Sequence, residues 1–350
     1  MFRVAFVGVD NPHGSGWRDL LVNLEDQLEI VAIVPGYDGG TTSLEERYSD
    51  VPRFETVDDL LAGSEFDGAV VCLSNQQGPA ALCQLAAAGK HLLAEKPVAG
   101  SLEDARQIAA AVDQAGIAFQ TGYNWRYDLA ANRLREMIAD DRFGKLISVE
   151  MSFVTSDVNR RGPDHYLFDP AVSQAGFFNW LACHFLDLLL YVTGQQVVGV
   201  TSRVGVFSDT PVDVEDGGIA LLDLSGGGVA TFLGGYWIPR WAGEAHWSLR
   251  GSKRWVHWDP SREGTGGVLE IHGPQPQWYA TEEVFTVEPD ETPGYGGRNG
   301  VALVTDWIEA ARKGGEACRN TTGSMTDVLE LIEMIYQASS EGRHIECSIG

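Results

Sequence analysis

The chain has 350 residues, 44% of them apolar, which is enough for two packed cores rather than one. Its net charge is −24, from 49 acidic against 25 basic residues, and a field of that sign repels nucleic acid and anionic membrane, so neither is expected as a partner. The five cysteines (Cys72, Cys83, Cys183, Cys318, Cys347) lack CxxC spacing, which argues against a disulfide framework or a metal site and for a reducing cytoplasm.

The first stretch alternates strand and helix. RVAFVGV (3–9) reads as a buried strand, 16–26 as an amphipathic helix, and EIVAIV (29–34) as a second strand, followed by a Gly-rich loop. A short helix at 56–63, a strand at 67–74, a helix at 79–89 and a strand at 91–97 come next. A helix at 101–116 opens on Ser101 with Asp104 three residues later, close to a capping box, and leads to a strand at 117–124. Short apolar strands alternating with helices predict a doubly wound parallel sheet, which takes ligands at the carboxyl ends of its strands.

After Asn124 the texture changes. A helix at 128–140, a strand at 145–154, a polar loop and a helix at about 174–193 precede a β-rich region from 197 to 290 with glycine-marked turns. Two helices close the chain, at about 299–313 and 324–341. We expect an α/β Rossmann domain at 1–124. An α+β domain at 125–350 follows, built on a large, mostly antiparallel open-faced sheet, and its last helices have the option of packing back on the first domain. No uninterrupted apolar run reaches 18 residues, and the N-terminus lacks the pattern of a signal peptide.

Three segments carry chemistry. AGKHLLAEKP (88–97) puts Lys96 at the end of a buried strand, GYNWRY (122–127) lies at the domain boundary, and GFFNWLACHFLD (176–187) sets His184 one turn before Asp187 on a helix. Together they resemble the AGKHVxxEKP, GxNxRF/Y and GGxxxDxGxHxxD stretches of the glucose-fructose oxidoreductase/inositol dehydrogenase/MocA family. The resemblance implies hydride transfer between NAD or NADP and a sugar, a polyol or a related carbohydrate derivative, with assembly as a homodimer or homotetramer through the C-terminal sheet. It also implies a cis peptide before Pro97, and catalytic roles for Lys96 and His184. An ammonium beside the substrate stabilises a developing alkoxide, and an imidazole accepts the hydroxyl proton.

The cofactor is expected near Gly8, Asp10, Asn11 and His13 in the first loop, Asp38 after the second strand, Ser74 and Asn75, and Glu95, Lys96 and Asn124. No arginine follows the second strand to meet a 2′-phosphate, which leans toward NAD. Candidate substrate contacts are Lys96, Tyr123, Arg126, Asn179, Trp180 and His184, with Arg161, His165 and Tyr166 from the polar loop 159–166, whose other reading is a solvated connection.

Two departures stand out. Asp10 occupies the second glycine position of the G-x-G-x-x-G loop, where a carboxylate opposes a pyrophosphate unless it turns away. Trp180 stands where the family often has an aspartate four residues before the histidine, either stacking on a sugar or packing in the core. Two other functions therefore stay open: a nucleotide-assisted non-redox lyase or hydrolase working through a keto intermediate, and a non-catalytic metabolite sensor. The tryptophans 237, 241, 247, 255 and 258 are expected to share a sheet face that packs on another subunit, or to form a carbohydrate platform. The acidity fits either an ordinary cytosolic enzyme or adaptation to high salt.

Overall fold

A computed structural model describes residues 1–10, 13–37, 39–260, 267–274, 281–315 and 317–350. The chain divides into two compact units, Met1–Tyr127 with Glu291–Thr326, and Asp128–Asp290 with Asp327–Gly350.

The first unit holds five strands, β1 (Phe2–Gly8), β2 (Leu28–Val34), β3 (Gly68–Cys72), β4 (His91–Ala94) and β5 (Phe119–Thr121), in the order β2-β1-β3-β4-β5. All pairs are parallel. β3 is buried at every residue, as a central strand covered on both faces must be. The connecting helices are α1 (Gly14–Leu21), α2 (Thr42–Arg47), α3 (Val57–Gly63), α4 (Gly78–Ala87) and α5 (Leu102–Ala115). The Ser101 hydroxyl accepts the Asp104 N–H at the start of α5, and Gly116 ends the helix in the left-handed conformation. β5 is only three residues long where the sequence pattern predicts eight. The chain turns at once after Thr121, whose carbonyl accepts the Tyr123 N–H. The helix Gly297–Arg312 completes this core, with Trp307 edge-on to Phe2 at 5.1 Å.

The second unit begins with α6 (Leu129–Ala139) and β6 (Leu146–Ser156), followed by the short helices α7 (Val158–Arg161) and α8 (Pro170–Ser173). A π-helical turn, Phe178–Ala182, then runs into α9 (Cys183–Thr193). β7 (Val197–Gly205), β8 (Gly217–Leu224), β9 (Val229–Ile238), β10 (Gly243–Gly251), β11 (Trp255–Asp259), β12 (Val268–His272) and β13 (Thr281–Thr286) complete the β-rich region. After α10, the helix Gly297–Arg312 of the first unit, come α11 (Thr322–Glu341) and an unanticipated edge strand, β14 (Ile345–Ile349), paired with β7. The nine strands lie in the order β13-β12-β11-β10-β6-β9-β8-β7-β14, antiparallel except for the β6–β9 pair. The expected mostly antiparallel sheet is thus present.

One face of this sheet is covered. Phe232 and Tyr236 of β9 meet Phe177, Phe178 and Phe185 at ring separations of 5.1–6.4 Å. The stretch Pro170–Thr193 is long and apolar enough to cross a membrane by composition, yet 89% of its apolar window is buried inside the fold. Its apolarity is that of a core helix. On the opposite face Ile219, Leu221 and Leu233 stay exposed. The tryptophans do not share one face as expected. Trp247 and Trp258 are buried and adjacent at 5.6 Å, whereas Trp241 is 69% exposed. Trp241 lies in the loop between β9 and β10, and Trp255 and Trp258, three residues apart on β11, point to opposite sides by period-2 alternation.

Candidate active site

In the first unit, β4 runs into Glu95 and Lys96, both buried, and a cis Lys96–Pro97 peptide bond. Gly122 lies against this strand end, and a Cβ there would sit 3.2 Å from the Lys96 backbone nitrogen and 3.5 Å from its Cγ. Glu95 anchors the first loop. His13 Nδ1 lies 2.6 Å from Oε1, and the Trp17 indole N–H donates to Oε2 at 2.5 Å. Tyr295 stacks on His13 at 4.9 Å and donates its N–H to the Gly16 carbonyl. The start of α1 is therefore tied to the end of β4.

Gly8 ends β1 at φ 145°, with room for no side chain: a Cβ would be 2.2 Å from the Cys72 carbonyl oxygen. Asp10 points to Arg18. The guanidinium pairs with Oδ1, the Ser43 hydroxyl donates to the same oxygen at 2.5 Å, and Arg18 Nε donates to Ser43 Oγ at 2.7 Å. Arg18 is 1% exposed and stacks over Phe6 at 4.7 Å. Burial pulls its pKa below the ordinary value, and Asp10 opposes that shift. The carboxylate that broke the glycine pattern is thus neutralised within the protein, and the first turn of α1 carries no acidic residue. With the partial positive charge of the α1 N-terminus beside it, this loop fits an anionic dinucleotide. Asn11 and Asp38 lie outside the described residues.

Ser74 accepts the Gln77 N–H through its hydroxyl and the Gly78 N–H through its carbonyl, so it shapes the entry to α4, with Asn75 buried beside it. The turn of Tyr123, Asn124 and Arg126 is held from below. Asn320 donates to the carbonyls of Thr121 (2.9 Å) and Tyr123 (3.1 Å), and Tyr127 donates to Asp306 (2.5 Å). Arg126 and Arg319 each donate to the other's carbonyl.

In the second unit, Arg161 donates to the Ser156 carbonyl and the Thr155 hydroxyl, both at 3.2 Å, and lies over the Tyr236 ring. His165 accepts the Leu167 N–H and sits 4.4 Å from Tyr166. Burial lowers its pKa, and the Arg161 charge adds to the effect. Tyr166 is edge-on to Trp180 at 5.6 Å. Trp180 and Asn179 are buried, so the indole is packed among protein groups. His184 is partly exposed on α9 and Asp187 is fully buried. Arg161, His165, Tyr166 and Trp180 thus form one cluster in which most polar groups already serve the fold.

The stretch expected as a single helix over 174–193 is broken. α8 ends at Ser173, Gln174 is left-handed, and Asn179 and Trp180 fall in the π turn. A π turn takes more residues than an α turn, so counting four back from His184 does not return to the same helix face. Arg18, Ser43, Trp17, Tyr295 and Glu215 escaped the sequence reading, and the one available signal was a charged Arg18 inside the apolar pattern of the first helix.

A model of the oxidoreductase family with an NAD-binding Rossmann fold matches residues 2–123, and one of the GFO/IDH/MocA C-terminal domain matches residues 131–257. The chain belongs to the Gfo/Idh/MocA oxidoreductase family. It is 26% identical over 183 residues to inositol 2-dehydrogenase of Rhizobium meliloti, which is 52% of this chain and 53% of that protein, so the match spans about half the relative's length. D-apiose dehydrogenase of Paraburkholderia graminis is 25% identical over 99% of this chain and 89% of its own. The structure of levoglucosan dehydrogenase in complex with NADH and L-sorbose superposes with a TM-score of 0.86, covering 99% of this chain and 98% of that one, at 15% identity, a likeness of fold.

Proposed function

We propose that this protein is an NAD(P)-dependent oxidoreductase acting on a CH–OH group of a sugar or polyol. The observation that carries the reading is Lys96, 1% exposed at the carboxyl end of β4, where open parallel sheets receive ligands. Burying an ammonium is costly, and a fold keeps one there when its charge is used. Names of relatives agree with this reading: inositol, apiose and levoglucosan dehydrogenases all act on polyhydroxy compounds.

Gly8, the α1 N-terminus with His13, and the Ser74–Asn75 turn would hold the dinucleotide, whose nicotinamide ring, when bound, accepts or gives up a hydride. Lys96 would stabilise the alkoxide that develops on the substrate oxygen, and His184 would take the hydroxyl proton. Arg161, His165, Tyr166, Asn179 and Trp180 would shape the substrate side. The exposed apolar face with Ile219, Leu221, Val229 and Leu233 supports assembly of identical subunits through the sheet. All five cysteines are free thiols, which supports a cytoplasmic home.

The test is Lys96→Ala assayed with NAD and NADP against a polyol and aldose panel. Turnover should fall about 100-fold or more, with nucleotide affinity nearly kept. Activity within about twofold of wild type removes Lys96 from the mechanism.

A further inference from the structure

The helix that carries His184 has no cap of its own. Its π-helical first turn follows Phe177, which offers no side-chain hydrogen bond to the orphan N–H groups every helix leaves at its start. A distant residue supplies their acceptors. Glu215, in the segment before β8, accepts the Phe178 N–H on Oε1 at 2.9 Å and the Phe177 N–H on its backbone carbonyl at 3.2 Å. The Tyr336 hydroxyl, from α11, donates to the same Oε1 at 2.8 Å. The fit leaves no space at Gly176, where a Cβ would lie 2.1 Å from Glu215 Oε2. Its neighbour Asp216, fully buried, accepts the N–H groups of Phe207 and Ser208 and the Trp237 indole N–H, which fixes the backbone that presents Glu215.

We propose that Glu215 is the positioning residue of the His184 helix: its carboxylate, braced by Tyr336, clamps the turn that carries Asn179 and Trp180 and so sets where α9 begins. The catalytic consequence rests on the oxidoreductase reading above. The clamp itself does not.

The chemistry of the clamp depends on protonation. A carboxylate at a helix start is favoured by the partial positive charge there and accepts N–H donors better than a neutral carboxyl does. Burial works against it and lifts the Glu215 pKa to about 7, with the hydrogen bonds from Phe178 and Tyr336 opposing. The groups facing it are the Tyr336 phenol from α11, pushed up by burial and then by the Glu215 charge, and the buried Tyr236 phenol from β9, pushed up by burial, with Arg161 opposing and the Glu215 charge adding. Asp213, on its own loop, lines the same 520 Å³ cavity. Among the described residues lining that cavity there is no lysine, arginine or histidine. Near neutral pH, then, the clamp changes strength.

Glu215→Gln, Glu215→Ala and Tyr336→Phe test this by two readouts on the full chain. The first is amide hydrogen exchange, corrected for intrinsic rate, over residues 177–181 at pH 6 and pH 8. Because the clamped carboxyl keeps its proton to a higher pH than an opened one, wild type should be better protected at pH 6, Glu215→Gln should lose that pH dependence, and Glu215→Ala should exchange about tenfold faster at pH 6. Tyr336→Phe removes a donor to the ionised form and should move the transition to higher pH, and it remains informative if the alanine variant fails to fold. The second is the pH profile of kcat and KM. Glu215→Gln should remove one ionisation from kcat while nucleotide affinity, a property of the first unit, stays within about twofold. Protection of 177–181 that is the same in wild type and Glu215→Gln at both pH values overturns the clamp. Absence of turnover by wild type on every substrate would instead overturn the oxidoreductase reading, and the exchange data would still decide the clamp.

Discussion

Asp10→Gly makes the first loop look more like a glycine-rich nucleotide loop, and from the sequence it should tighten binding if the carboxylate faced the phosphates. The structure reverses the expectation. Arg18 is 1% exposed, and its ion partner is Asp10, with Ser43 bridging the two. Removing one member of such a pair leaves a charge buried without compensation, which costs about 3–5 kcal/mol. The remaining Ser43 contact and the Phe6 ring retain part of the stabilisation, so a loss of about 3 kcal/mol is expected, a large fraction of an ordinary stability of about 5–15 kcal/mol. Urea unfolding should show the midpoint falling with little change in slope, and the double variant Asp10→Gly/Arg18→Met should recover most of the loss. Calorimetry should show no gain in NAD affinity for the single variant. A single variant within about 0.5 kcal/mol of wild type that also binds NAD more tightly would refute the ion-pair argument.

Other expectations follow from the same structure. His184→Asn should lower turnover and remove an acidic limb from the kcat/KM profile, because an imidazolium cannot accept the hydroxyl proton; an unchanged limb makes His184 structural. Glu215, its pKa raised from 4.5 to about 7, adds stability below pH 4.5 that is lost as pH rises through 7. Between pH 4.5 and 8, Glu215→Gln should therefore gain on wild type by up to about 3 kcal/mol, and parallel stability curves would contradict this. The −24 charge, carried with only five lysines, predicts a melting temperature that rises with salt, since the Debye length shrinks to about 3 Å at 1 M. A flat response between about 0.1 and 2 M would assign the acidity to an ordinary acidic protein.

By itself the sequence determined the alternation of strand and helix up to Thr121, the switch to a β-rich unit, and the place of Lys96 at the end of a buried strand. These are local matters: apolar period, capping residues such as Ser101, and glycine at Gly116 act within a few residues of themselves. Only the tertiary structure decided what Asp10 faces, because Arg18 and Ser43 reach it from two different helices. The same holds for the π turn under Trp180 and its clamp by Glu215, 37 residues on from Phe178, and for β14, whose partner β7 lies far back in the chain. A helix start with no local cap, or an edge strand with no local partner, shows no pattern in its own residues. Its hydrogen bonds are completed by groups that only folding brings near.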